Sequence, residues 1–424
     1  MKKDGLRAYT CGSGLFGEVG HGELKDCRFP RGVETLRDVD ITFGSGGGRH
    51  LCMMSKSGDI FSCGKGDHGQ LGIGAWIAND NERVVESDPS SFNQNGAVSA
   101  PIKVLMGSDE GEGEGSSRSR GVPRALSSGF DHTVVICRDG SVKTFGRGTE
   151  GRLGVMDGDG EDSNRHVYTP EAVSIQGERF VAAGAGLVHT ALVTDKGELY
   201  TYGFSGNGRL GHSSSYEDES SCSVSPRKVG GLEGKRVVQA VAGWSHTVVL
   251  TSDGEVYTCG LGINGQLGHG DDNDEFTLKR VEALVFKGDP IVQVSAGYTH
   301  TAALTYSGKM YTFGYGYQGQ LGHGTFNDEL KPVLVQHLEE QHGTRVIQIA
   351  AGGHHTAARL QNGKVLTFGN NEYGQLGHGT TKNTNIPKVV EMSKGRKVEH
   401  ISAGGTHTLM LAPATPFPQT CKRV

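Results

Sequence analysis

One phrase recurs around the chain in fixed register, and it constrains the fold more than any other feature. Its clearest copy runs Ala242-Gly243-Trp244-Ser245-His246-Thr247-Val248-Val249-Leu250, then Ser252-Asp253-Gly254, Val256-Tyr257-Thr258-Cys259-Gly260 and Gly265-Gln266-Leu267-Gly268. The histidine stands at His50, His132, His189, His246, His300, His355 and His407. Fourteen residues after each of the first six comes a glycine, at Gly64, Gly146, Gly203, Gly260, Gly314 and Gly369. Eight further on stands another, at Gly72, Gly154, Gly211, Gly268, Gly322 and Gly377.

Within one unit, the alternating stretch Arg236 to Val241 reads as a strand and His246 to Thr251 as a second. Ser252-Asp253-Gly254 is a hairpin turn, with glycine supplying the positive φ. Glu255 to Cys259 returns as a third strand, and a weaker fourth is expected at about Leu278 to Leu284, after a Gly-rich loop. A small four-stranded sheet can bury its faces only against neighbours, so seven copies predict an all-β, seven-bladed β-propeller. The chain opens part-way through a unit, at Tyr9-Thr10-Cys11-Gly12, and ends on the half that this unit lacks, Gly404-Gly405-Thr406-His407. N- and C-terminal strands should therefore share one blade and close the ring.

Composition fits this reading. The 68 glycines lack the three-residue period and the proline content of collagen, there being only 12 prolines, so they serve turns and close approaches. A net charge of −5 gives no general basic field for nucleic acid or anionic membranes, and no apolar window is long enough to span a bilayer. Eight cysteines without C-x-x-C spacing read as reduced thiols, which places the protein in the cytoplasm or nucleus. One domain over 1–424 is expected, with an insertion at 75–121: the step from Gly72 to Gly154 is 82 residues, against 54 to 57 for the later ones. Its acidic Gly/Ser-rich stretch from Gly107 to Arg120 has nothing apolar to bury and is expected to be disordered and dispensable.

With its Gly-x-x-His-Thr, aromatic-x-x-Gly and Gly-Gln-Leu-Gly elements in seven phased copies from Tyr9 to Leu411, the chain resembles the regulator of chromosome condensation family. That resemblance implies a propeller, and a function among three kinds: exchange on the small GTPase Ran, ultraviolet-B reception, or protein docking. Exchange would engage the GTPase through acidic and histidine residues on the Gly-x-x-His face, where Asp131 and His407 fit. Val188 and Thr299 depart from that pattern, and the loop from Gly146 to Gly154 is too short for the protruding wedge that exchange would require. Photoreception would require a tryptophan cluster, but only Trp76 and Trp244 are present.

The repeated histidines suit hydrogen bonds between blades better than a metal or acid–base site, because a repeat disperses its copies around an axis. Cys11, Cys63 and Cys259 occupy the place of Phe145, Phe313 and Phe368 elsewhere and read as core. No catalytic constellation, metal site or cofactor site is evident. The informative positions are those that vary between blades. The residues between Gly and His form a ring on one face, and Trp244, Tyr298, Asp131, His354 and His407 are the candidate partner contacts there. Acidic loops at Asp157–Asp162, Glu217–Glu219 and Asp271–Glu275 would put negative charge on one rim, favouring a basic protein surface. The expected partner is thus a protein, a small GTPase or a basic surface, rather than a membrane or nucleic acid, and oligomeric state is left open.

Overall fold

Each repeat folds into a four-stranded antiparallel sheet, and seven sheets surround a central channel. The computed structural model describes residues 5–74, 96–106, 121–155, 165–173, 175, 177–212, 222–338 and 344–414. Blade 1 combines the two ends of the described chain. Blades 2 to 7 follow in order, their second strands starting at His50, His132, His189, His246, His300 and His355.

Blade 5 shows how the sequence builds one sheet. Val237–Ala242 lies innermost, His246–Thr251 and Val256–Gly260 follow, and Glu275–Arg280 is outermost. All six residues of the second strand are buried, because both its faces pack against neighbouring blades, and its sequence is accordingly almost wholly apolar or β-branched. Gly260 has φ +115°, and a Cβ there would run into the Ser245 carbonyl, so the repeated glycine is dictated by how closely strands two and three approach.

The fourth strand lies a few residues earlier than the apolar pattern of Leu278 to Leu284 indicates. Asp274 accepts a hydrogen bond from the Gly262 N–H at 2.8 Å and brings the chain back early, so that Glu275 pairs with Gly260. Val281 and Leu284 are apolar because they enter the core around a short 3-10 turn, Glu282–Leu284. The core itself lies between blades: one cluster joins Cys52 and Ile60 of blade 2 to Val135 and Phe145 of blade 3.

Ring closure is made within blade 1. Leu6–Gly12 pairs along its whole length with His407–Pro413, from Leu6 opposite Pro413 to Gly12 opposite His407. Cys27–Gly32 and His400–Ala403 complete that sheet. Within 75–121, residues 97–103 supply the outer strand of blade 2. The flanking 75–95 and 107–120, including the acidic stretch from Gly107 to Arg120, lie outside the described residues. Among the described residues no helix is long and apolar enough to cross a membrane.

Candidate functional site

The repeated histidines lie inside the ring. In six of seven cases the ring Nε2 is 2.8 to 3.0 Å from a threonine hydroxyl of the next blade: His50 to Thr133, His132 to Thr190, His189 to Thr247, His246 to Thr301, His300 to Thr356 and His355 to Thr408. Each threonine in turn donates its proton to the carbonyl of the residue between Gly and Leu in the preceding blade's loop, as Thr301 does to Gln266 at 2.8 Å. A hydroxyl has one proton to give, so the histidine must be the donor to it and carries its hydrogen on Nε2. Burial depresses the histidine pKa values, His246 to about 4 and His355 to about 3, which keeps the rings neutral.

The seventh relay is missing. Leu51 stands where the other blades have threonine, and both nitrogens of His407 are buried without a hydrogen-bond partner. His407 is fully buried, so it presents nothing to solvent from the position assigned to it as a partner contact. Asp131 is buried as well, 3.6 Å from Arg147 Nη1 through one oxygen and unpartnered at the other.

At the face where the Gly-x-x-His turns converge, six rings form a continuous chain. Phe130 and Trp244 have centroids 6.0 Å apart, and Trp244 meets Tyr298 edge-on at 4.6 Å. Tyr298 contacts His354 at 5.4 Å, His354 contacts Tyr315 at 5.8 Å, and Tyr315 contacts Tyr317 at 5.5 Å. Tyr298 lies across the channel mouth. Its ring reaches Gly353 of blade 7 and Gly405 of blade 1, where any Cβ would collide with it. Burial raises the Tyr298 phenol pKa; the Arg49 charge works against that shift and the Asp131 charge with it. Beneath the rings is a small cavity of about 70 Å³ walled by the glycines and alanines of the turns.

Trp244 and Tyr317 face outward, at 37% and 65% exposure. The backbone of Trp244 is held from blade 4, where Arg209 replaces the usual glutamine of the loop and donates from Nη1 to the Trp244 carbonyl at 3.3 Å. Arg152 does the same for Leu187 at 2.8 Å. Both loops carry a non-glycine residue at positive φ, Glu150 at 59° and Asn207 at 58°, and the described residues have no others.

The structure therefore brings Trp244, Tyr298 and His354 together at the surface and withdraws Asp131 and His407 from it. Tyr315 and Tyr317 extend the aromatic chain and were not singled out by the sequence reading. Of the acidic loops, Asp271–Glu275 lies within the described residues and spends Asp274 on capping the Gly262 turn, whereas 157–162 and 217–219 lie outside them. Among the described residues no group of three or more His, Cys, Asp or Glu is placed to hold a metal ion.

Comparison with known proteins agrees with this architecture. Residues 113–415 match the model of the RCC1-like domain, and residues 7–54 match the regulator of chromosome condensation (RCC1) repeat. The chain is 32% identical over 396 residues to the ultraviolet-B receptor UVR8 of Arabidopsis thaliana, covering 92% of this chain and 80% of that protein. It is also 32% identical over 413 residues to the human E3 ubiquitin-protein ligase HERC2, covering 96% of this chain but 8% of that much longer protein. The crystal structure of Prp20p from Saccharomyces cerevisiae superposes with a TM-score of 0.77 at 21% identity, over 98% of this chain and 93% of that one, a likeness of fold. With seven four-stranded blades, a ring closed by its two ends and family matches over most of its length, the chain belongs to the RCC1-like propeller family.

Proposed function

We propose that this propeller is a protein-binding module whose Gly-x-x-His face, centred on Trp244 and Tyr298, makes the principal contact with a protein partner. The observation that carries this reading is the aromatic chain from Phe130 to Tyr317, held on a rigid ring and exposed at Trp244 and Tyr317. Large, pre-positioned aromatics on a scaffold that cannot collapse around them are the usual anchors of protein interfaces. Tyr298 supports the platform from below and closes the mouth, and Trp244 and Tyr317 offer the contact area.

A small GTPase is the partner class the relatives favour, since the Prp20p structure is reported together with that protein's binding to Gsp1p and histones. Val188 and Thr299 lack the acidic and histidine character that Ran-type exchange implies, which favours docking or regulation over nucleotide exchange itself. The test is capture of partners from the native organism on the wild-type chain and on Trp244→Ala, followed by a nucleotide-release assay on any GTPase recovered. Capture of the same partners by both chains in equal amount would remove the ring face from the contact. Accelerated release would identify exchange rather than docking.

A further inference from the structure

The central channel has a second mouth, on the face opposite the aromatic chain, with surroundings of a different kind. At the first mouth Phe130, Trp244 and Tyr298 cover the opening. Below them a cavity of about 320 Å³ runs along the inner strands. On blades 5, 6 and 7 its wall is made by Gln239, Gln293 and Gln348, and each amide bridges to the next blade. Gln239 donates to the Val294 carbonyl and accepts from the Val294 N–H, both at 3.0 Å, and Gln293 and Gln348 do the same with Ile349 and Ile401. His400 of blade 1 continues the series, 3.1 Å from the Gly44 carbonyl. The equivalent positions of blades 2, 3 and 4 are Phe43, Ala125 and Ala182, so the amide series stops there, and the cavity is lined on that side by Phe43, Leu126 and Ala183 together with Ser45, Ser127 and Ser128. With the amides already engaged, the apolar surface left for a guest side chain is that of Phe43, Leu126 and Ala183.

The rim adds a second, independent feature. The residues just before these wall positions are Val181, Val238, Val292 and Ile347 in four successive blades, with Val238 and Val292 nearly half exposed. Behind this apolar arc stands Tyr306, with the Arg345 guanidinium 5.9 Å from its ring centre. The carboxylates of this sector are engaged: Asp253 and Glu255 with Lys235, Asp289 with the N–H and hydroxyl of Ser307, and Glu399 with Lys397. Arg236, Lys309 and Arg345 have no ion pair among the described residues, which leaves local positive charge on a protein whose net charge is −5.

We propose that this far mouth is a second binding site, for an acidic segment of a protein partner. One apolar side chain of that segment enters the channel beside Leu126 and Ala183, and flanking carboxylates meet Arg236 and Arg345. The valine arc distinguishes this occupant from nucleic acid, whose phosphates would gain from the cations and lose at the apolar rim. None of Arg236, Arg345 and the valine arc belongs to the aromatic chain, so either site can fail without the other.

The experiment pans the immobilised full-length chain against a random dodecapeptide library displayed on phage, and measures selected peptides by fluorescence anisotropy on the wild type, on Arg236→Glu/Arg345→Glu and on Trp244→Ala. Both arginines are exposed, so the charge reversal should leave the fold intact, which circular dichroism checks. The expected result is selection of peptides with paired acidic residues beside Leu, Met or Phe, losing at least about tenfold in affinity on the arginine double variant and unchanged on Trp244→Ala. Three results would each overturn the proposal: basic or neutral selected sequences, acidic peptides indifferent to the arginine reversal, or no enrichment with the same arginines instead capturing a labelled oligothymidine.

Discussion

Replacing Thr301 by valine removes one hydroxyl and keeps the shape of the side chain, so it isolates the relay between blades 5 and 6. Thr301 is fully buried, and its oxygen is 3.0 Å from His246 Nε2 and 2.8 Å from the Gln266 carbonyl to which it donates. Valine leaves no cavity but strands two buried polar groups, the His246 N–H and the Gln266 carbonyl. Each such orphan costs about 1–3 kcal/mol, so Thr301→Val should lower stability by about 2–6 kcal/mol. Blade 2 has the corresponding state built in, with Leu51 facing an unpartnered His407, so the same chemistry at that junction already lacks its bond. The assay is urea unfolding of the wild type, Thr301→Val, His246→Leu and the double variant, read as midpoint at constant m-value. Because the two residues share one bond, the double variant should cost less than the sum of the singles by about 1–2 kcal/mol. A loss below about 0.5 kcal/mol for Thr301→Val, or strict additivity, would refute the relay as a stabilising contact.

Other consequences follow from burial and from the ring face. The histidines are held neutral in the fold, with His50 and His355 at about 3 and His246 and His407 at about 4, below the unfolded value near 6.5. The unfolded chain therefore takes up protons first as pH falls from about 6.5 towards 4, and each ring contributes a loss of up to about 1.4 kcal/mol per pH unit there. The urea midpoint should accordingly drop steeply between pH 7 and pH 5, and a flat profile would show that the rings are protonated in the fold. Trp244 is the lone tryptophan of the ring face among the described residues, so ultraviolet-B irradiation should leave the elution volume on size exclusion unchanged; a light-dependent shift would bring this chain's behaviour close to that expected of a photoreceptor relative.

Most of the fold could be read from the sequence because each blade repeats the same few steric demands. Gly260 and its counterparts are fixed by strand approach, and His246 to Thr251 is a strand buried on both faces. Closure of the ring followed from the two half-units at the ends. The fourth strand was less legible: its residues are few and half-polar, and its start is set by Asp274 reaching back to Gly262 rather than by any apolar period. The ring face was legible only in part. Trp244 and Tyr298 could be picked out because they vary at a repeated position, but nothing local reveals that Tyr298 would span the mouth to Gly405. Nor does it reveal that Tyr315 and Tyr317, on a different loop, would continue the chain of rings. Asp131 and His407 looked like surface candidates by position, yet the depth of the turn buries both. The missing seventh relay was visible as Leu51 after His50, although its meaning needed the geometry of the other six.

The central claim is that the Gly-x-x-His face binds a protein through its aromatic anchors. Its most direct test is the affinity of a recovered partner for the wild type and for Trp244→Ala/Tyr298→Ala, by isothermal titration calorimetry on chains shown by circular dichroism to be folded. Truncating a hot-spot aromatic costs at least about 2 kcal/mol. The account therefore predicts a fall in affinity of about thirtyfold or more. An affinity unchanged within about twofold would contradict it and leave the aromatic chain as packing at the channel mouth.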